Sequence, residues 1–236
     1  MSEIFLIRHG QASFGQENYD QLSPVGVRQA KIVARYLSKM GKPFDAVYCG
    51  KMNRQVKTAE ELIERCRVRK VAIPQIQPSL SFNEYDSLAV WESLIPEIIQ
   101  ENPSLSKDLE QVYTDKKSFQ ILFEQVMDRW ISGAYDLPGA PKWSDFKKRV
   151  RQGLKDIMRR HSSKMQLAIF TSGGPISVAI QLALGISDKK TMEISWQIMN
   201  ASITRFKYND RGFALSGFND IAHLELEQDE QLLTYR

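Results

Sequence analysis

His9 follows directly on an apolar run, "IFLI" at residues 4–7, and stands between Arg8 and Gly10. Those three types at the end of a strand make a plausible phosphate chemistry. A neutral imidazole nitrogen can attack phosphorus and form a phosphohistidine. An adjacent arginine can hold phosphate oxygens bidentately, and glycine lets backbone amides approach an anion. In open α/β sheets ligands bind beyond the carboxyl ends of the strands, which is where His9 falls. A second stretch, "LAIFTSGGPI" at 167–176, runs from an apolar segment into Thr171, Ser172, Gly173, Gly174 and Pro175. It reads as a strand passing into a helix through a Gly-rich turn, whose first amides favour an anion. Two cysteines and three scattered histidines have no metal-site spacing, and neither a Walker A sequence nor G-x-G-x-x-G occurs.

The elements that must carry these turns follow from the apolar pattern. "IFLI" reads as a buried strand. Ser23-Pro24 opens a helix as N-cap and first residue, with Val27, Ala30, Ala34 and Leu37 on one face and Gly41 as its stop. "DAVYC" is a second strand, and a helix after Asn53 carries Val56, Ala59, Ile63 and Cys66 on one face. "KVAIPQI" reads as a third strand whose proline puts it near an edge. This βαβαβ order predicts a mostly parallel sheet with helices on both faces, a three-layer α/β/α sandwich. Residues 85–142 are helical in period and form an insertion over one end of the sheet, above the site. The main pattern resumes at Ser144 with a helix carrying Phe146, Val150, Leu154 and Ile157, then the strand "LAIF" and a helix apolar nearly all round. "SITRFKYNDRGFALSGF" reads as a hairpin turning at 209–212.

With 236 residues and 42% hydrophobic content the chain can bury a sizeable core, and it reads as one domain, 1–236. The net charge of +4 is uneven. Residues 51–70 hold seven basic and three acidic side chains, 142–160 hold eight and two, and 84–136 hold eleven acidic and four basic. The basic blocks are either a steering field for an anionic substrate or solvated helix faces. No nucleic-acid motif occurs, no apolar run has the length of a membrane span, and the N-terminus is wrong for a signal peptide. Cys49 and Cys66 give no disulfide framework, and both fall on faces that should be buried. A cytoplasmic protein is expected.

"LIRHGQASFG" followed by "YDQLSPVGVRQA" resembles the histidine phosphatase superfamily, also called the phosphoglycerate mutase-like family. "CGKMNRQVKTAE" resembles its second arginine segment, "LSFNEYD" its acid-bearing segment, "WSDFKKRV" the return from the insertion and "FNDIAHL" a C-terminal segment. The resemblance implies that His9 is the nucleophile, that Arg8 and Arg54 clamp the phosphate and that Glu84 protonates the leaving oxygen. It implies no cofactor and no metal, and a phosphorylated small molecule or phosphoprotein as substrate. The family's other catalytic histidine lies in a His-Gly-Gly turn, and here the matching turn has Ser172. Ser172 and Gly173 are then expected at the phosphate, with a weakened phosphatase as the outcome. Losing a cation there should raise the pKa of His9, so that the neutral nucleophile needs a higher pH. Family mutases and many phosphatases carry an asparagine soon after Arg-His-Gly, where this chain has Phe14-Gly15, and a mutase-type phosphotransferase is a lesser alternative. Gln11 and Ser13 either line the pocket or are loop polar groups.

His161 ends a basic helix, where the helix dipole favours it. His223 either reaches the pocket rim or makes a fold-stabilising hydrogen bond. A serine hydrolase built on Ser172, Asp220 and His223 is a further alternative, but Phe170 stands where a nucleophile elbow needs glycine. A non-catalytic phosphate-binding protein is the other rival.

Overall fold

The computed structural model describes all residues except 14–18, 41, 42, 113, 136, 138, 162, 163 and 236. Phe14-Gly15, and Gly41 as a helix stop, therefore lie outside the described residues. Among the described residues six strands form one sheet in the order β3-β2-β4-β1-β5-β6. These are β1 (Ser2–Arg8), β2 (Ala46–Cys49), β3 (Ile76–Pro78), β4 (Gln166–Thr171), β5 (Ile203–Asn209) and β6 (Gly212–Asp220). The first four run parallel, and β5 and β6 add an antiparallel hairpin beside β1.

Alternation along the central strands divides the core in two, because successive side chains point to opposite faces. Phe5, Ile7, Val47, Cys49, Ala168 and Phe170 pack with α1 (Pro24–Leu37) and α2 (Asn53–Val68). Ile4, Leu6, Tyr48, Leu167 and Ile169 pack with α6 (Trp143–Arg160) and α7 (Gly173–Leu184). The three-layer arrangement expected from the βα order is thus present. Residues 85–142 form α3 (Ser87–Glu101), α4 (Ser106–Gln111) and α5 (Lys116–Ser132). Val90, Leu94, Val126 and Trp130 from this insertion join the same apolar cluster as α6 and α7. An α8 (Asp188–Gln197) and a short α9 (Ala222–Glu225) complete the helices among the described residues.

Local chemistry accounts for the helix ends. The Ser23 hydroxyl accepts from the Gly26 amide and caps α1, with Pro24 in its first turn. The helix stops at Leu37, earlier than the expected Gly41. In α2 the buried face runs through Gln55, Thr58, Ala59, Leu62 and Cys66; of the expected stripe Ala59 and Cys66 are buried, while Gln55, Thr58 and Leu62 take the place of Val56 and Ile63. The polar members of that face belong to the site described below. The third strand also differs from expectation: 71–75 is irregular, and only Ile76–Pro78 pairs, with β2 at the sheet edge. Cys49 and Cys66 are buried and free.

Candidate active site

The β1–β4 register pairs Arg8 with Thr171, so both chains leave the sheet side by side. The His9 amide donates to the Thr171 carbonyl at 2.9 Å, and Ser172 follows directly. The two turns singled out in the sequence are therefore neighbours. Between them and α2 lies a cluster of His9, Arg54, Gln55 and Ser172, all buried.

His9 has its tautomer set by its neighbours. Nδ1 lies 2.6 Å from the Gly10 carbonyl, which can only accept, so Nδ1 carries the proton. Nε2 receives a hydrogen bond from Arg54 Nε at 3.1 Å, so it holds the lone pair. Burial, then Arg54, then Arg8 hold the His9 pKa well below its ordinary 6.5. The two arginines and desolvation keep the ring neutral without any help from residue 172.

Gly10 is required by packing as well as by any anion. A Cβ there would lie 2.2 Å from the Gly26 carbonyl of α1, and the Gly10 amide already donates to Thr58 Oγ1 at 3.1 Å. Arg54 is held at several points. Its Nη1 donates to Asp20 Oδ1 at 2.6 Å, its Nη2 reaches Met52 Sδ at 3.2 Å, and its guanidinium lies 5.3 Å from the Tyr19 ring centroid. Asp20 also accepts from the Asn53 amide at 2.7 Å, which anchors it to the first turn of α2. Arg8 donates through Nη1 to the Ile198 carbonyl, just past α8.

Glu84 approaches from the other side. Its Oε2 accepts from the Gly174 amide at 3.0 Å and its Oε1 from the Tyr85 amide at 3.1 Å. A Cβ on residue 174 would lie 2.1 Å from Oε1, so glycine is what lets the carboxyl seat on the start of α7. Burial raises the Glu84 pKa above its ordinary 4.5, and this outweighs the opposing pull of the Gly174 amide and Arg54. Arg149 of α6 braces the loop behind Glu84 by donating to the Leu80 carbonyl at 2.6 Å and the Asn83 carbonyl at 3.0 Å.

The Ser172 hydroxyl makes no capping bond to α7. It accepts instead from Gln55 Nε2 at 2.8 Å, and the same nitrogen donates to the Phe82 carbonyl at 3.0 Å. Gly173 lies against Ser195, where a Cβ would stand 3.3 Å from the carbonyl oxygen.

The other sequence candidates fall elsewhere. Gln11 accepts from the Ser23 hydroxyl through Oε1 at 2.8 Å, and its amide donates to Gln29 at 2.7 Å, so it ties the loop after β1 to α1. The Ser13 amide donates to the Gln21 carbonyl within the same loop. His223 bonds the Ala201 carbonyl through Nε2 at 3.0 Å and stacks on Tyr36, and the Ala201 amide in turn donates to the His9 carbonyl at 3.2 Å. His161 shares a 2.9 Å hydrogen bond between Nε2 and the Tyr48 hydroxyl. Burial, then Arg160, lower its pKa, so a neutral tyrosine partner replaces the charged dipole cap expected there. Among the described residues no group of three or more His, Cys, Asp or Glu is placed to hold a metal ion, and no helix is long and apolar enough to cross a membrane.

Asp20, Gln55 and Arg149 escaped sequence reasoning. Gln55 and Thr58 left one signal, as polar residues on a helix face that otherwise turns inward. Asp20 and Arg149 act over 34 and 66 residues of separation and left none.

Comparison with known proteins fits this geometry. A curated Hydrogenobacter thermophilus protein, "Putative phosphoserine phosphatase 2", is 25% identical over 233 residues, covering 94% of this chain and 98% of its own. A mutant of Entamoeba histolytica phosphoserine phosphatase in complex with phosphoserine has the same fold, with a TM-score of 0.64, 18% identity and coverage of 95% and 100%. Bacillus anthracis phosphoglycerate mutase superposes with a TM-score of 0.65 at 14% identity, with 97% of each chain covered. The family model for the histidine phosphatase superfamily (branch 1) matches residues 4–137 and 113–221, and the chain belongs to that superfamily.

Proposed function

We propose that the protein is a metal-independent phosphomonoesterase of one domain, 1–236, that works through a phosphohistidine on His9. The observation that carries this reading is the His9 Nε2 lone pair, held on a buried neutral ring beside Arg54. The phosphoryl oxygens take up the donors of Arg54 and Arg8, and Nε2 attacks phosphorus. The Nε2–P bond forms as the P–O bond breaks, and the leaving oxygen takes the proton of Glu84. Water then attacks phosphorus and gives its proton to the Glu84 carboxylate. The Nε2–P bond breaks and inorganic phosphate departs.

The opposed pKa shifts support these roles. With ordinary values of 6.5 and 4.5 a histidine base and a carboxylic acid are rarely neutral together. Lowering one and raising the other increases the fraction in which both are in their working states. Ser172 then takes the place of a phosphate-contacting histidine and donates one uncharged hydrogen bond. The names of the relatives support a small phosphorylated molecule as substrate.

The test is p-nitrophenyl phosphate hydrolysis without added metal, with alkaline quench of the enzyme to trap phosphohistidine. Turnover with label on His9, absent in His9→Ala, is the expected result. Phosphate binding without hydrolysis would instead favour a non-catalytic phosphate-binding protein. That rival draws on the neutral Ser172 and on the hydrogen bond it already accepts from Gln55.

A further inference from the structure

We propose that Gln55 is a positioning residue that turns the Ser172 hydroxyl into an obligatory donor to the phosphoryl group. The inference rests on the phosphatase reading above and extends it to a residue outside the reacting set.

The argument begins with the orientation of the Gln55 amide. Its nitrogen lies 3.0 Å from the Phe82 carbonyl, which can only accept. Its oxygen faces the Met52 amide at 3.4 Å, which can only donate. These two partners leave one orientation, with the second N–H on Ser172 Oγ at 2.8 Å. The side chain is fully buried.

Ser172 therefore accepts from Gln55. A hydroxyl has one proton, and that proton cannot point at a donor. The α7 amides are donors themselves and cannot take it, and among the described residues Ser172 Oγ donates to no acceptor. The proton is left for a group entering the pocket between the ends of β1 and β4. A donor already oriented before the phosphoryl group arrives costs no reorganisation at the moment of reaction. The Phe82 carbonyl also accepts from Thr171 Oγ1 at 2.7 Å, so the strand end, the loop leading to Glu84 and Gln55 meet at one oxygen.

The experiment is a double-mutant cycle with Gln55→Met, Ser172→Ala and the combined variant. Methionine keeps the volume and removes both donors. The readouts are kcat/KM for p-nitrophenyl phosphate and the affinity for vanadate, with melting temperature to confirm folding. Each separate change is expected to lower kcat/KM and weaken vanadate by about 10- to 100-fold. The combined variant is expected to be no worse than Ser172→Ala. Losses that multiply would mean that Gln55 acts through packing alone and would overturn the proposal, as would a neutral Ser172→Ala. The vanadate arm decides the coupling even if wild type does not turn over. Retention of activity in His9→Ala would sink the phosphohistidine reading instead, so the two failures are distinguishable.

Discussion

At the end of β1 the pocket is cationic. His9 sits between Arg8 and Arg54, and Arg54 is buried and ion-paired with Asp20. At the end of β4 the matching position holds an uncharged side chain. Ser172 takes an amide hydrogen bond from Gln55, and the start of α7 is occupied by Glu84, whose pKa is raised. The contrast indicates how the work is divided. Under the proposed mechanism, charge is concentrated where the nucleophile and the phosphoryl oxygens meet, and on the side that holds the leaving group's proton burial outweighs the pull of Arg54 and Arg8 on Glu84. The largest expected effect probes the first side. His9→Ala should lower phosphatase activity by about 10⁴-fold or more while phosphate still binds through Arg8 and Arg54, as calorimetry would show. Substantial residual turnover would erase the distinction between the two sides.

Glu84→Gln probes the second side and should separate substrates. An alkyl phosphate needs its leaving oxygen protonated, so its turnover should fall by about 10²–10³-fold. p-Nitrophenolate leaves readily without a proton, so p-nitrophenyl phosphate should suffer much less. Equal losses on both substrates would mean that Glu84 seats the α7 turn rather than supplies a proton.

The same contrast sets the pH profile. His9 is active when neutral, so its lowered pKa moves the acid limb to lower pH than an ordinary histidine would give. Glu84 is active when protonated, so its raised pKa moves the basic limb to higher pH than an ordinary carboxylate would give. Between these limbs kcat/KM should pass through a maximum on the acid side of neutrality, checked with an alkyl phosphate over a pH series. In Glu84→Gln the basic limb should disappear and the acid limb remain.

Much of this arrangement could be read from the chain. His9 and the Ser172 turn were visible because each ends a short apolar run, and the parallel register then brings such ends together. The half-exposed edge strand Ile76–Pro78 gave no apolar signal, and the preceding apolar residues drew the expected start six positions too early. The helix Asp188–Gln197 buries only Thr191 and Met192 and so leaves no stripe. The site was legible where family-like motifs carried it, and opaque where a long-range polar contact did. Nothing local to Gln55 says that it faces Ser172, 117 residues away. The lowered pKa of His9 was out of reach for the same reason. Its value depends on burial and on the placement of two arginines, not on residue 172 alone.

Asp20 offers the finest test of the cationic side, because it does two opposing things there. Oδ1 holds Arg54 Nη1 at 2.6 Å, and Oδ2 caps the start of α2 through the Asn53 amide at 2.7 Å. The pair positions Arg54, yet it also puts a carboxylate near the incoming phosphate. Asp20→Asn keeps oxygen and shape while removing the charge. The aspartate side chain is 32% exposed, which screens its repulsion, whereas Arg54 is 4% exposed and fastened at other points as well. Position should therefore survive the change, and relief of repulsion should dominate. Inorganic phosphate is expected to bind about two- to fivefold more tightly, with a loss of stability of about 1 kcal/mol from the weakened ion pair and cap. The gain should shrink as salt is added, because it is electrostatic and partly exposed. Weaker phosphate binding at unchanged salt would show that the carboxylate is needed to aim Arg54, and the balance of charge on that side would have to be redrawn with Asp20 counted among the positioning groups.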